Sequence, residues 1–198
     1  MPIDFGALAT AIATIATGAF AFVKWYLPHR REKKTNANTI QGLQSISRVY
    51  DTMREMEHSS IDRIILFAGH NGGGIPTASK PFYVTALHWI ADVASSKIIE
   101  DYVNIRVDSD YVAMLLSARE KGWLSLDVST MPDCKLKQYY LLEGVTHSLI
   151  VFLAVKDKKF FYFSAATSAP GGIDANTRNM VLLKSEKIIN ELNKKPRE

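Results

Sequence analysis

Cysteine is nearly absent from this chain: Cys134 is the single one in 198 residues. No internal disulfide can form, and no cysteine and histidine spacing typical of a zinc site is present, which fits a reducing compartment and predicts no metal centre. A phosphate loop ending in Gly-Lys-Ser or Gly-Lys-Thr is lacking too, since Ser79-Lys80 runs in the wrong order after a proline. No nucleophile motif stands out, nor any pair of carboxylates placed for acid and base work, so no catalytic residue is expected. Basic and aromatic residues do not interleave in a stripe, and nucleic acid is therefore not an expected partner. There is no internal repeat.

Charge is missing altogether between Phe5 and Val23, an apolar stretch that ends at Lys24-Trp25-Tyr26-Leu27-Pro28 and runs into His29-Arg30-Arg31-Glu32-Lys33-Lys34. It makes about 28 Å of helix at about 1.5 Å per residue, close to the roughly 30 Å hydrocarbon core of a bilayer. A buried core helix would carry a polar face. Here only Thr10, Thr14 and Thr17 can hydrogen-bond, and their hydroxyls can bond back to the preceding turn. A signal peptide would want a basic start; Ala19-Phe20-Ala21 offers small residues for cleavage, yet Asp4 is the only charged side chain before the span. The expectation is a single transmembrane anchor over about 5–27 within residues 1–34, set in the bilayer through Phe5–Leu27. The collar of Lys24, Arg30, Arg31, Lys33 and Lys34 predicts a cytoplasmic C-terminal domain at the inner membrane and favours anionic headgroups. Removing those five bases, and the acids Asp4 and Glu32, from totals of 24 and 20 leaves 19 against 18. The pI near 9.1 thus belongs to the collar rather than to the domain behind it. Within the span, Gly6, Thr10, Thr14 and Gly18 recur every fourth residue, a spacing that lets two helices approach closely and predicts a homodimer through this face.

Residues 35–58 read as a short polar linker and an amphipathic helix capped by Asn38 or Thr39. Leu43, Ile46, Tyr50 and Met53 fall three and four apart, with Ile40 and Val49 widening the stripe. This helix either lies on the sheet that follows or continues the anchor as a parallel dimer helix. From residue 59 the period changes. Arg63 to Ala68 is a continuous apolar run of strand length, ending where Gly69-His70-Asn71-Gly72-Gly73-Gly74-Ile75-Pro76 predicts a loop. Phe82 to Trp89 suits a second strand. A helix is expected over 110–121, capped by Asp108 or Ser109 and stopped at Gly122, with Val112, Leu115 and Leu116 inside. Leu124 to Val128 alternates as a strand, and 135–143 reads as a short helix ending at Gly144. Ser148 to Val155 and Phe160 to Ala165 form the clearest hairpin, across the charged turn Lys156-Asp157-Lys158-Lys159. Asp174 then caps a closing helix over 177–194, with Val181, Ile188 and Leu192 as buried candidates.

The predicted fold class is α/β, an antiparallel sheet with flanking helices and the terminal helices on one face. The lead helix into Arg63–Ala68, the short helix 135–143, the hairpin 148–165 and the closing helix together resemble a GAF domain, over about residues 40 to 195. That resemblance is one of element order and hydrophobic pattern. It implies a small-molecule sensor or dimerisation module, with ligands taken between the sheet and the overlying loops. No kinase, cyclase or phosphodiesterase segment is read after Lys195. As ligand-contact residues we single out Gly69, His70, Asn71, Gly72, Gly73 and Gly74, because glycines let backbone amides converge on an anion while His70 and Asn71 add polar side chains. The competing reading of this loop is a flexible crossover whose glycines permit tight turns. Cys134 with His147 as nucleophile and base is outweighed by a buried structural cysteine. No residue set names a cofactor.

The function expected is that of a noncatalytic, membrane-anchored sensor or adaptor whose domain binds a small ligand or a protein partner. The alternative is a small phage or bacterial accessory membrane protein acting by self-association of its span; an enzyme comes third. Substituting Gly6→Phe together with Gly18→Phe is expected to abolish span association in a membrane two-hybrid assay, and an unchanged signal rejects this face.

Overall fold

The computed structural model of this protein describes residues 38–71, 81–91 and 102–194. The predicted span with Gly6, Thr10, Thr14 and Gly18, its basic collar, and Gly72, Gly73 and Gly74 lie outside the described residues. Among the described residues no helix is long and apolar enough to cross a membrane.

In chain order the elements are α1 (residues 38–54), β1 (Arg63–His70), β2 (Tyr83–Ala91), β3 (Ile105–Arg106), α2 (Ser109–Lys121), β4 (Trp123–Asp127), α3 (Lys135–Leu142), β5 (His147–Lys156), β6 (Lys159–Thr167) and α4 (Ala175–Asn193). The strands form one 6-stranded sheet in the order β3-β2-β1-β6-β5-β4, and every neighbouring pair is antiparallel. Contacts along the chain divide at Ser45, and the unit Ile46–Lys195 carries the sheet. Of the unit before it, residues 38–45 are described and are helical.

β1 lies between β2 and β6, and its residues from Arg63 to Gly69 are buried. A strand covered on both faces has no position for an exposed polar side chain, which is why this segment reads as an unbroken apolar run. Side chains alternate across it. Ile64 and Leu66 join Val49, Met53 and Met56 of the α1 segment and Val181 and Ile188 of α4. Ile65 and Phe67 face the other layer, with Tyr111, Met114 and Leu115 of α2 and Leu136 and Tyr140 of α3. The terminal helices thus share one face, as the element order predicts.

Local signals hold at most boundaries. The Asp108 carboxylate accepts from the Tyr111 backbone N–H at the start of α2, and Gly122 ends that helix at φ 81°. Asp174 accepts from the N–H groups of Asn176 and Thr177 to open α4. The hairpin closes more tightly than its charges indicate: Lys156 pairs with Lys159, leaving Asp157 and Lys158 as a two-residue turn at φ 50° and 62°. Positive φ at both positions matches the right-handed strand twist.

Three expectations are corrected. The first strand does not stop at Ala68 but runs on through Gly69 and His70, because Gly69 pairs with Val84 on one side and Phe160 on the other. Glycine serves here for close approach: a Cβ at Gly69 would lie 2.5 Å from the Phe82 ring. The α1 stripe is rotated. Val49, Met53 and Met56 are buried, whereas Leu43 is 62% and Ile46 41% exposed, since three- and four-residue steps fit two adjacent faces and the sheet takes only one. On α2, Leu116 is 49% exposed, and Tyr111, Met114, Leu115 and Ala118 form the inner face. Strand β3, with two residues, leaves no periodic signal.

Gly69→Ala is expected to destabilise the protein by about 1–3 kcal/mol through overpacking against Phe82, read as a lowered midpoint in denaturant. Phe82→Leu in the same chain should recover part of that loss.

Candidate functional site

The layer between the sheet and α2/α3 is polar at its centre. Arg63 opens β1 and its side chain is 1% exposed, as is the Glu143 carboxylate with which it pairs. Glu143 is the C-cap of α3, so the short helix delivers this carboxylate to the head of the central strand. The Tyr102 hydroxyl donates to Glu143 Oε1 at 2.6 Å. The guanidinium carbon lies 5.8 Å from the Tyr102 ring centroid and 5.5 Å from that of Tyr140, within reach of cation–π attraction. Deeper in, the Tyr140 hydroxyl contacts Ser148 Oγ at 2.8 Å and Ser164 Oγ at 3.0 Å. Tyr111 and Tyr162 join their hydroxyls at 2.7 Å, and Tyr162 stacks on Phe67 at 5.1 Å between centroids. Burial raises the pKa of Tyr102, Tyr111 and Tyr162 above the ordinary phenol value. All three stay protonated near neutrality and act as hydrogen-bonding core side chains. Between sheet and helices these tyrosines pack with Ile65, Phe67, Met114, Leu115 and Leu136.

Outside this core, where α2 and α3 begin, lies a groove of about 700 Å³ lined by Ile105, Arg106, Val107, Asp108, Ser109, Lys135 and Tyr139. Asp108 serves both helices: Oδ1 accepts from Tyr111 N at 2.9 Å and Oδ2 from Lys135 N at 2.6 Å. The residue in the cap position of α3, Cys134, makes no side-chain cap bond. One carboxylate therefore satisfies donors at two helix N-termini and carries the charge their dipoles favour. Arg106 and Lys135 are exposed and enter no ion pair among the described residues. Tyr139 connects groove to core, its ring 4.9 Å from that of Tyr102.

The predicted loop residues separate. Gly69 lies beneath Phe82 on the α2/α3 side. His70 turns to the opposite face of β1, with Nε2 3.1 Å from Thr85 Oγ1. Thr85 gives its hydroxyl proton to Asn104 Oδ1 and accepts from Asn104 N, so His70 Nε2 is the donor in their contact. Asn71 follows the end of β1. Cys134 is buried, and burial raises its thiol pKa, which leaves little of the reactive thiolate. His147 contacts Thr146 Oγ1 through Nδ1 at 3.1 Å. No group of three or more metal-ligating side chains is assembled among the described residues. Reading the sequence missed Arg63, Tyr102 and Glu143; a charge opening a wholly apolar strand was the one available signal for Arg63.

No family model matches the chain, and no curated protein matches it. Solved structures do, and they show a GAF-like fold. The GAF domain of a two-component sensor histidine kinase from Bacillus halodurans matches with a TM-score of 0.51 and 11% identity, over 75% of this chain and 90% of that one. A GAF domain/HD domain protein from Geobacter sulfurreducens matches at 0.51 and 13%, over 72% and 88%. The phycocyanobilin-bound GAF domain from a cyanobacterial phytochrome matches at 0.50 and 11%, over 80% and 93%.

Glu143→Ala is expected to cost about 3–5 kcal/mol, because it leaves the Arg63 guanidinium buried and unpaired. The double variant Arg63→Met with Glu143→Leu should regain most of that stability, and denaturant titration of both proteins measures the difference.

Proposed function

We propose that this chain is a noncatalytic sensory or adaptor module whose GAF-like domain takes a small ligand or a protein partner. A membrane tether through Phe5–Leu27 belongs to the same reading, supported by the uncharged stretch and its basic collar. The observation that carries the proposal is the groove at the start of α2 and α3. Arg106 and Lys135, which enter no ion pair among the described residues, suit a ligand with an anionic group, and the Ser109 hydroxyl adds a donor. Asp108 already occupies the donors at both helix starts, so selectivity rests on the side chains rather than on the helix ends. A ligand resting on Tyr139 would bear through Tyr102 on Glu143 and Arg63, and thus on the central strand. Catalysis draws no support from this site, where the described groups are basic side chains, a capping carboxylate, a serine and a tyrosine.

Native mass spectrometry of the protein purified from its own host, before and after denaturation, tests the reading. An extra mass that is lost on denaturation, and that Arg106→Ala with Lys135→Ala reduces at least tenfold in occupancy, supports a ligand in the groove. A bound mass unaffected by the double substitution rejects the groove. A clean apo protein that co-purifies with no partner rejects the sensor and adaptor reading.

A further inference from the structure

The sheet has two edges, and they differ. β3, with two residues, is too short to template another strand. β4 at the other end spans Trp123–Asp127 and, among the described residues, pairs with β5 alone. It holds no proline, lysine or bulge, the devices that blunt an exposed edge. Ser125 at its centre and Asp127 at its end are exposed.

The register with β5 decides which backbone groups are free. The Phe152 N–H donates to the Gly122 carbonyl and the Val128 N–H to that of Thr146. With Trp123 opposite Val151, Leu124 and Leu126 are then the positions hydrogen-bonded to β5. The N–H and C=O groups of Trp123, Ser125 and Asp127 therefore point away from the sheet. The Asp127 carbonyl is taken by Thr130 N and Oγ1, both at 3.1 Å, whereas the Ser125 groups make no backbone bond among the described residues.

The same three residues share a face. Trp123 packs with the layer of the terminal helices, and Leu124 and Leu126 with the opposite one. Arg178 of α4 stands over Trp123, its guanidinium carbon 4.8 Å from the ring centroid, and enters no ion pair among the described residues. Asp127 spends Oδ1 on the Ser129 amide and hydroxyl. The Ser129 hydroxyl and amide hold its carboxyl below the usual carboxylate range.

We infer that β4 is the docking edge for β4 of a second copy of this chain, paired antiparallel about a two-fold axis at Ser125. In this register Ser125 exchanges both backbone bonds with its counterpart, and the Asp127 N–H of each copy donates to the Trp123 carbonyl of the other. Trp123 faces the second copy's Asp127 on one side of the joined sheet, with Cβ atoms about 5 Å apart, so each Arg178 meets a carboxylate. The edge is self-complementary in charge as well as in hydrogen bonding, as an isologous interface requires. The helices leave room for it. α4 packs over β5, one strand in from the edge, and α2 over β4 and β5. With strands about 4.8 Å apart, the two copies of α4 stand about 14 Å apart and those of α2 about 10 Å, an ordinary helix-packing distance. This surface is separate from the groove and from the small-residue face expected in the span.

Disulfide trapping in the full-length chain, held in detergent micelles, tests the pairing. Hydrogen-bonded partners in an antiparallel pair lie about 5.5 Å apart at Cα, within disulfide reach, so Ser125→Cys should give a covalent dimer on mild oxidation. Leu141→Cys, exposed on α3, should not, and the buried Cys134 stays out of reach. Adding Arg178→Glu or Asp127→Arg to Ser125→Cys sets like charges against each other and should slow trapping about tenfold. Mixing the two charge variants should restore it, because both pairs across the edge are then of opposite charge again. Equal trapping of Ser125→Cys and Leu141→Cys, no trapping, or trapping indifferent to charge reversal would overturn the pairing. Hydrogen exchange at the Ser125 amide of the wild-type chain gives an answer even if the variants fold poorly. It is expected to slow as protein concentration rises. Fast exchange at every concentration rules the pairing out, and protection unchanged by dilution assigns the edge to another occupant and overturns it too.

Discussion

The pairing of Arg63 with Glu143 is the constraint around which the rest of this domain is arranged. Neither group could remain charged in so dry a place without the other, since desolvation of an isolated ion there would cost several kcal/mol. The pair therefore ties the first residue of the central strand to the last turn of α3. Once Glu143 is held there, Tyr140 one turn earlier lies between Ser148 and Ser164, and Tyr139 beside it faces Tyr102 and the groove. The other end of α3 is held by Asp108, which also starts α2. A helix of 8 residues, too short to be stable alone, is thus secured at both ends by a carboxylate.

This arrangement leaves polar groups open to solvent mainly at the rim of the layer. Tyr102, Tyr111, Tyr140 and Tyr162 are buried between sheet and helices, with hydroxyl contacts to one another, to Ser148 and Ser164, and to Glu143. Hydrogen bonds among buried side chains stiffen a core. Chemistry open to solvent is left to the rim, where Arg106, Lys135 and Tyr139 stand beside a bridge into that core. The opposite face of the sheet carries the terminal helices.

Much of the fold was legible because it depends on local signals. Asp108 and Asp174 were readable as caps, Gly122 as a stop, and the two apolar runs of the hairpin as neighbouring strands; each rests on residues within a few positions of one another. The α1 stripe was only half legible, because Leu43, Ile46, Val49 and Met53 satisfy helical spacing equally well and the choice among faces belongs to the sheet. Gly69 and His70 were read together as loop residues, yet alternation along β1 sends them to opposite faces. The groove was not legible at all, since it assembles from β3, the start of α2 and the start of α3, and β3 has no pattern of its own.

By itself the sequence determined the order of elements apart from β3, the apolar faces of the sheet, the caps and the uncharged stretch with its basic collar, because hydrophobic period and capping chemistry act over short separations. Only the tertiary structure decided which polar residues meet: Arg63 with Glu143, Tyr111 with Tyr162, and Asp108 with Lys135. Those meetings join positions far apart in the chain, and no local periodicity encodes them, for they follow from how the helices settle on the sheet once its register is set.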